Sequence, residues 1–149
     1  MGNLGGTASV DVDHPIDVVY AMLEDVSTAP EWQGGLQRMD VLERDGQGRA
    51  LRCKTSTDAK VRVVTTEVRF RYEPGRAVRW EQTRGDLKSL VGSWELDDLG
   101  GGRTRITYRL DGDPGRVLGM LIRGPVEGRI RELMVDARPG EAAARLDAG

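Results

Sequence analysis

From Leu36 to Gly112 apolar and polar residues alternate with a period of two, segment after segment, and each segment stops at a turn. "LQRMDVLERD" and "RALRCKTSTD" flank "GQG", a hairpin signal with glycine where positive φ is expected. "KVRVVTTEVRFRYE" ends at Pro74-Gly75, "RAVRWEQTRG" at Gly85-Asp86 and "KSLVGSWELDD" in "LGGG", before "RTRITYRLDG" closes the series. Links this short join antiparallel neighbours, because a parallel crossover needs about a dozen residues or more. "TASVDVD", with Val10 and Val12 alternating against Ser9 and Asp11, adds a strand at the start. Such a chain makes one antiparallel sheet of about seven strands, and its apolar face needs a cover.

The cover has to be helical. After the first strand, Ile16, Val19, Tyr20 and Leu23 mark one face of a short helix opened by Asp13 or His14 and Pro15. Ser27 and Thr28 cap a further helical turn through "APEW". The last third changes period: Leu118, Leu121, Ile122, Val126, Ile130, Leu133, Met134 and Ala137 form one apolar helical stripe. Pro125 inside it predicts a kink or a break, since its ring displaces a helical hydrogen bond. Pro139-Gly140 is read as the end of the element, and "EAAARLDAG" as a mobile tail. The expected organisation is one domain over 1–149, with residues 1–6 and 139–149 as flexible ends.

Parity assigns the faces. Val64, Thr66, Val68, Phe70 and Tyr72 share one side of their strand, against Glu67, Arg69 and Arg71. Val78, Trp80 and Gln82 oppose Arg79 and Glu81; Leu90, Gly92, Trp94 and Leu96 oppose Ser93 and Glu95; Ile106, Tyr108 and Leu110 oppose Arg105 and Arg109. The apolar set must face the helix, because reversing it would bury several charges. Leu51, Cys53, Thr55 and Thr57 join it, as do Met39 and Val41. The other face, with arginine and glutamate alternating, reads as a solvated and self-neutralising surface.

Composition removes several function classes. The net charge of -2 gives no nucleic-acid footprint. One cysteine, Cys53, allows neither an intrachain disulfide nor a cysteine-based zinc cluster, and fits a reducing, cytoplasmic setting. The single histidine, His14, lies at the helix entry, away from the inner face, so a histidine-based triad or metal site there is not expected. No phosphate-binding glycine motif is present; "GQGRAL" and "LGGGRT" are turns. No apolar run is long enough to span a bilayer, and no signal peptide is recognised. Cys53 has no histidine to activate it and reads as a buried, inert thiol. Glu43 sits at a strand end, and Arg62, Tyr72 and Tyr108 are the polar groups best phased to meet a ligand.

On "HPIDVVYAMLEDVSTAPEW", "VRWEQTRGDLKSLVGSWEL" and "TRITYRLDGDPG", over residues 7 to 138, the chain resembles the Bet v 1-like, START-like helix-grip superfamily. Its bacterial polyketide cyclase/dehydrase and lipid-transfer (SRPBCC) members are the nearest in type. The resemblance implies an α+β helix-grip fold: a seven-stranded antiparallel sheet wrapped around a long C-terminal helix, two short helices after the first strand, and a hydrophobic cavity between. One helix cannot fill the concave side of such a sheet, and the inner face mixes aromatics with polar groups, as a small-molecule pocket does. The candidate ligand-binding residues are Met22, Trp32, Met39, Cys53, Thr66, Phe70, Trp80, Gln82, Trp94, Tyr108, Leu118 and Ile122. Trp32 either caps a ligand or plugs the core. The expected function is binding or transport of a hydrophobic small molecule, lipid or polyketide-like, without cofactor or metal, by a monomer or homodimer. Two alternatives stay open: a polyketide cyclase or dehydratase, and an interaction module with a filled core.

Overall fold

The computed structural model describes residues 4–149, so the expectation for residues 1–3 lies outside it. Strands β1 (Leu4–Val12), β2 (Leu36–Arg44), β3 (Ala50–Asp58), β4 (Val63–Glu73), β5 (Ala77–Gly85), β6 (Ser89–Gly100) and β7 (Arg103–Asp113) form one antiparallel sheet. Their order is β1-β7-β6-β5-β4-β3-β2. Each hairpin pairs in sequence, and only β1 travels, crossing to pair with β7 from Leu4↔Gly112 to Val12↔Thr104. Helix α1 (Ile16–Glu24) and a 3₁₀ helix (Val26–Glu31) make that crossing and bury Val19, Tyr20, Leu23, Val26 and Ala29.

The faces fall as parity requires. Two adjacent rows of inner side chains each run across four strands, Phe70–Trp80–Gly92–Leu110 and Tyr72–Val78–Trp94–Tyr108. The outer face is a lattice of ion pairs: Glu67 takes Arg52 at 3.0 Å and Arg84 at 2.8 Å, and Glu95 takes Arg109 at 3.0 Å. These pairs are solvated and each is worth little in stability. Strands β5 and β6 pair only over Ala77–Glu81 and Val91–Glu95. Beyond that they splay, and Leu87 from their link turns inward and is buried.

The C-terminal third departs from the single apolar stripe. Helix α2 (Gly115–Leu121) stops, Gly124 turns the chain at φ 80, and α3 (Pro125–Arg131) begins with its proline in the first turn. Pro125 therefore breaks the helix: at a first-turn position its missing N–H costs nothing. A π turn (Glu132–Asp136) follows, closed by the Ala137 N–H on the Glu132 carbonyl at 2.9 Å, and leads into α4 (Arg138–Ala148). The wide turn shifts the helical phase, so Val135, absent from the expected stripe, is fully buried; Leu121, on the other side of the break in α2, is half exposed.

Pro139 begins α4 where the sequence pattern marked the end of the element. Of residues 139–149, expected to be a flexible end, all but Gly149 lie in this helix, which buries Pro139, Ala142 and Leu146. Leu4–Gly6, assigned to the other flexible end, are the first residues of β1. The reason is tertiary. Alone, "EAAARLDAG" is short and weakly apolar, but Ala142 and Leu146 meet the core at their one buried face. The His14 Nε2 and Asp147 Oδ1 atoms, 2.8 Å apart, tie the end of α4 to the entry of α1.

Candidate functional site

Between the inner face and the C-terminal helices the side chains leave a cavity of about 100 Å³. Its sheet wall carries Thr66, Phe70, Trp80, Trp94 and Tyr108, and Trp32 closes the end beside the 3₁₀ helix. The rings form a chain: Phe70 to Trp80 at 6.0 Å between centroids, Trp80 to Tyr108 at 5.8 Å, Tyr108 to Trp94 at 4.5 Å and Trp94 to Trp32 at 5.8 Å. These tilted contacts suit aromatic quadrupoles and hold the wall rigid. The seat of the Trp80 indole is Gly92, directly across from it, where any Cβ would overlap the ring. Thr55 and Thr66 share one hydrogen bond at 2.9 Å, which leaves the accepting hydroxyl its own O–H to donate.

Of the twelve nominated residues, Trp32, Met39, Thr66, Phe70, Trp80, Trp94 and Tyr108 line the cavity. The other five do not. Met22 packs against the main core, and Cys53 is 0% exposed within it. Burial pushes the Cys53 thiol up to about 11, which suits an inert residue. Gln82 keeps inward parity but donates from Nε2 to the Leu87 carbonyl at 2.8 Å, bracing the splayed strands. Leu118 in α2 and Ile122 at its C-terminal end come before the helix break, and sit in a separate cluster with Leu4, Ala59, Val64, Leu87 and Ile130. Arg62 is exposed in the β3–β4 link, Glu43 is exposed and bonded to Arg52, and Tyr72 donates to the Ala50 carbonyl at 2.6 Å.

Arg138 was missed. It lines the cavity and is 3% exposed. Its Nη1 donates to the Gly34 carbonyl and to Glu141 Oε1, both at 2.8 Å, while Glu141 Oε2 accepts the Gly34 N–H at 2.8 Å. Both backbone groups of Gly34 are thus held by α4, and a side chain there would press on Glu141. One signal was available: Arg138 follows Ile130 and Met134 at successive i+4 steps, on the face that meets the sheet. Tyr108, beside this guanidinium, has its pKa raised by burial, with Arg138 opposing the rise, so the phenol is a donor at neutral pH.

Among the described residues no group of three or more His, Cys, Asp or Glu side chains could hold a metal ion, and no helix is long and apolar enough to cross a membrane. Comparison with solved structures returns the same architecture. A START superfamily protein from Mycobacterium smegmatis superposes with a TM-score of 0.81 at 14% identity, over 97% of each chain. A protein from Thermus thermophilus gives 0.81 at 18% identity, again over 97% of each. The Zhui aromatase/cyclase from Streptomyces sp. R1128 gives 0.73 at 19%, over 97% of this chain and 94% of that one. At these identities the likeness is one of fold. Comparison with curated protein sequences gives no match. The profile of the family described as polyketide cyclase / dehydrase and lipid transport matches residues 12–138, most of the chain, and the protein belongs to that family.

Proposed function

We propose that this protein binds a small hydrophobic molecule, polyketide-like or lipid, in the cavity between the sheet and the C-terminal helices. The observation that carries the proposal is the cavity's wall: linked aromatic rings, completed by methionines and aliphatics from both the sheet and the C-terminal helices, with few polar groups. A ligand burying roughly 300 Å² would gain on the order of 7 kcal/mol gross, before the costs of association, which suits reversible binding. The space of about 100 Å³ is below the roughly 300–1,000 Å³ that encloses drug-sized ligands. Ligand entry therefore needs Met39 and Met134, adaptable side chains on opposite walls, to move. In this role the protein is a single-domain cytoplasmic binder or carrier, monomer or homodimer, with no nucleic-acid partner.

Cyclase or dehydratase chemistry on a polyketide-like substrate is the second reading. Tyr108 favours it, because a protonated phenol in an apolar site can polarise a carbonyl. Native mass spectrometry of freshly purified protein, followed by extraction, tests the main proposal. A stoichiometric apolar adduct, displaced in a Tyr108→Trp variant that fills the cavity, is the expected result. A clean apo mass, with no thermal stabilisation by aromatic ketones or fatty acids, would overturn it.

A further inference from the structure

One end of the cavity brings together three hydrogen-bond donors, from Trp32, Tyr108 and Arg138. Arg138 Nε and Trp32 Nε1 are both buried, and neither finds a hydrogen-bond partner among the described residues. Both atoms belong to residues that line the cavity, and both groups can only donate. Tyr108 adds a hydroxyl beside the Arg138 guanidinium. The three come from three separate elements: Trp32 from the end of the 3₁₀ helix, Tyr108 from β7 and Arg138 from the start of α4. Trp94 bridges two of them, its ring 5.8 Å from Trp32 and 4.5 Å from Tyr108.

An unpaired buried donor is costly, and a buried guanidinium more so. Arg138 Nη1 is spent on the Gly34 carbonyl and on Glu141, which fixes the head in place and offsets its charge. What remains is a rigid, nearly neutral cluster of N–H and O–H groups facing an apolar space. Its chemical complement is an oxygen that only accepts. We infer that Arg138, Trp32 and Tyr108 form an acceptor-binding subsite that orients a hydrophobic ligand by a ketone or carboxylate oxygen, with its hydrocarbon body against Trp80 and Phe70. This rests on the cavity-binding reading and adds to it the ligand's polar group and its direction.

Matched probes separate the two ideas. Isothermal titration with 1-tetralone and tetralin compares one bicyclic skeleton with and without a carbonyl, and 2-naphthoate against naphthalene does the same for a carboxylate. The wild-type protein should prefer at least one oxygen-bearing probe by about tenfold or more over its hydrocarbon. Which pair shows the preference separates ketone from carboxylate. Trp32→Phe keeps a ring and removes one donor; Arg138→Lys keeps a charge and removes Nε. In both variants the preference for the oxygen-bearing probe over its hydrocarbon should shrink to about twofold, whatever the change does to affinity for the hydrocarbon itself. Trp32→Phe leaves the Gly34 clamp intact, so it decides the question should Arg138→Lys fail to fold. Hydrocarbon and oxygenated probes binding alike to the wild type would overturn the subsite and leave the cavity reading standing. A preference that survives both substitutions would also overturn it. No binding by any probe would overturn the cavity reading and the subsite with it.

Discussion

Replacing Gly92 with alanine should push the Trp80 ring into the cavity. Gly92 lies on the inner face directly opposite Trp80, and a Cβ built there overlaps indole atoms Cε2, Cζ2 and Nε1. Carbon atoms rest at about 3.5–4.0 Å, so the ring must rise by roughly 1 Å or more. It cannot slide sideways freely, because Phe70 at 6.0 Å and Tyr108 at 5.8 Å flank it. The displacement is directed into a space of only about 100 Å³. Overpacking of this kind costs about 1–3 kcal/mol, or a fall in Tm of roughly 3–10 °C for a chain of 149 residues. Differential scanning fluorimetry and titration with 1-tetralone measure the two consequences, lower stability and weaker binding. Pairing the change with Trp80→Leu supplies the control: without the indole, Gly92→Ala should cost under about 0.5 kcal/mol, since a smaller side chain makes room. The reasoning fails if Gly92→Ala alone leaves both Tm and affinity unchanged, or if the penalty persists when Trp80 is gone.

Two further predictions concern stability. Leu146→Ala, at a side chain 9% exposed in α4, should cost about 2–3 kcal/mol in urea denaturation; a change under about 0.5 kcal/mol would mean that α4 does not dock on the core. Cys53 gives a pH dependence: burial raises the thiol from 9.0 to about 11 in the folded protein. Its contribution is therefore complete below pH 9. Between pH 9 and 11 the unfolded thiol ionises while the folded one stays neutral, so stability falls, by about 2–3 kcal/mol in total. Cys53→Ala should lower stability at pH 8 but flatten the decline between pH 9 and 11 in urea midpoints, and an equally steep decline in the variant would contradict this assignment.

Local periodicity determined the sheet and its polarity. A strand's side chains alternate whatever it packs against, so Phe70, Trp80, Trp94 and Tyr108 could be placed on one face, and Arg69, Arg79 and Arg109 on the other, from the sequence alone. The short turns set antiparallel order, and Pro125 marked the place where the last helical segment is interrupted. Which inward residues reach the cavity was a different matter. Cys53, Gln82, Leu118 and Ile122 carry the right periodicity, yet the main core, the splay of β5 from β6 and the turn at Gly124 lead them elsewhere. Arg138 shows the reverse. A charged residue beside a proline reads as a helix end on a surface; Glu141 lies one turn along the same helix, and it takes the approach of the distant Gly34 to make the burial of Arg138 tolerable. Tertiary structure also decided the shape of the wall, because the seat for Trp80 is made by a missing side chain on another strand. Alternation along a strand is a local property and is written in the chain. Cavity shape and the pairing of buried donors depend on groups distant in sequence, and these become defined only when the elements meet.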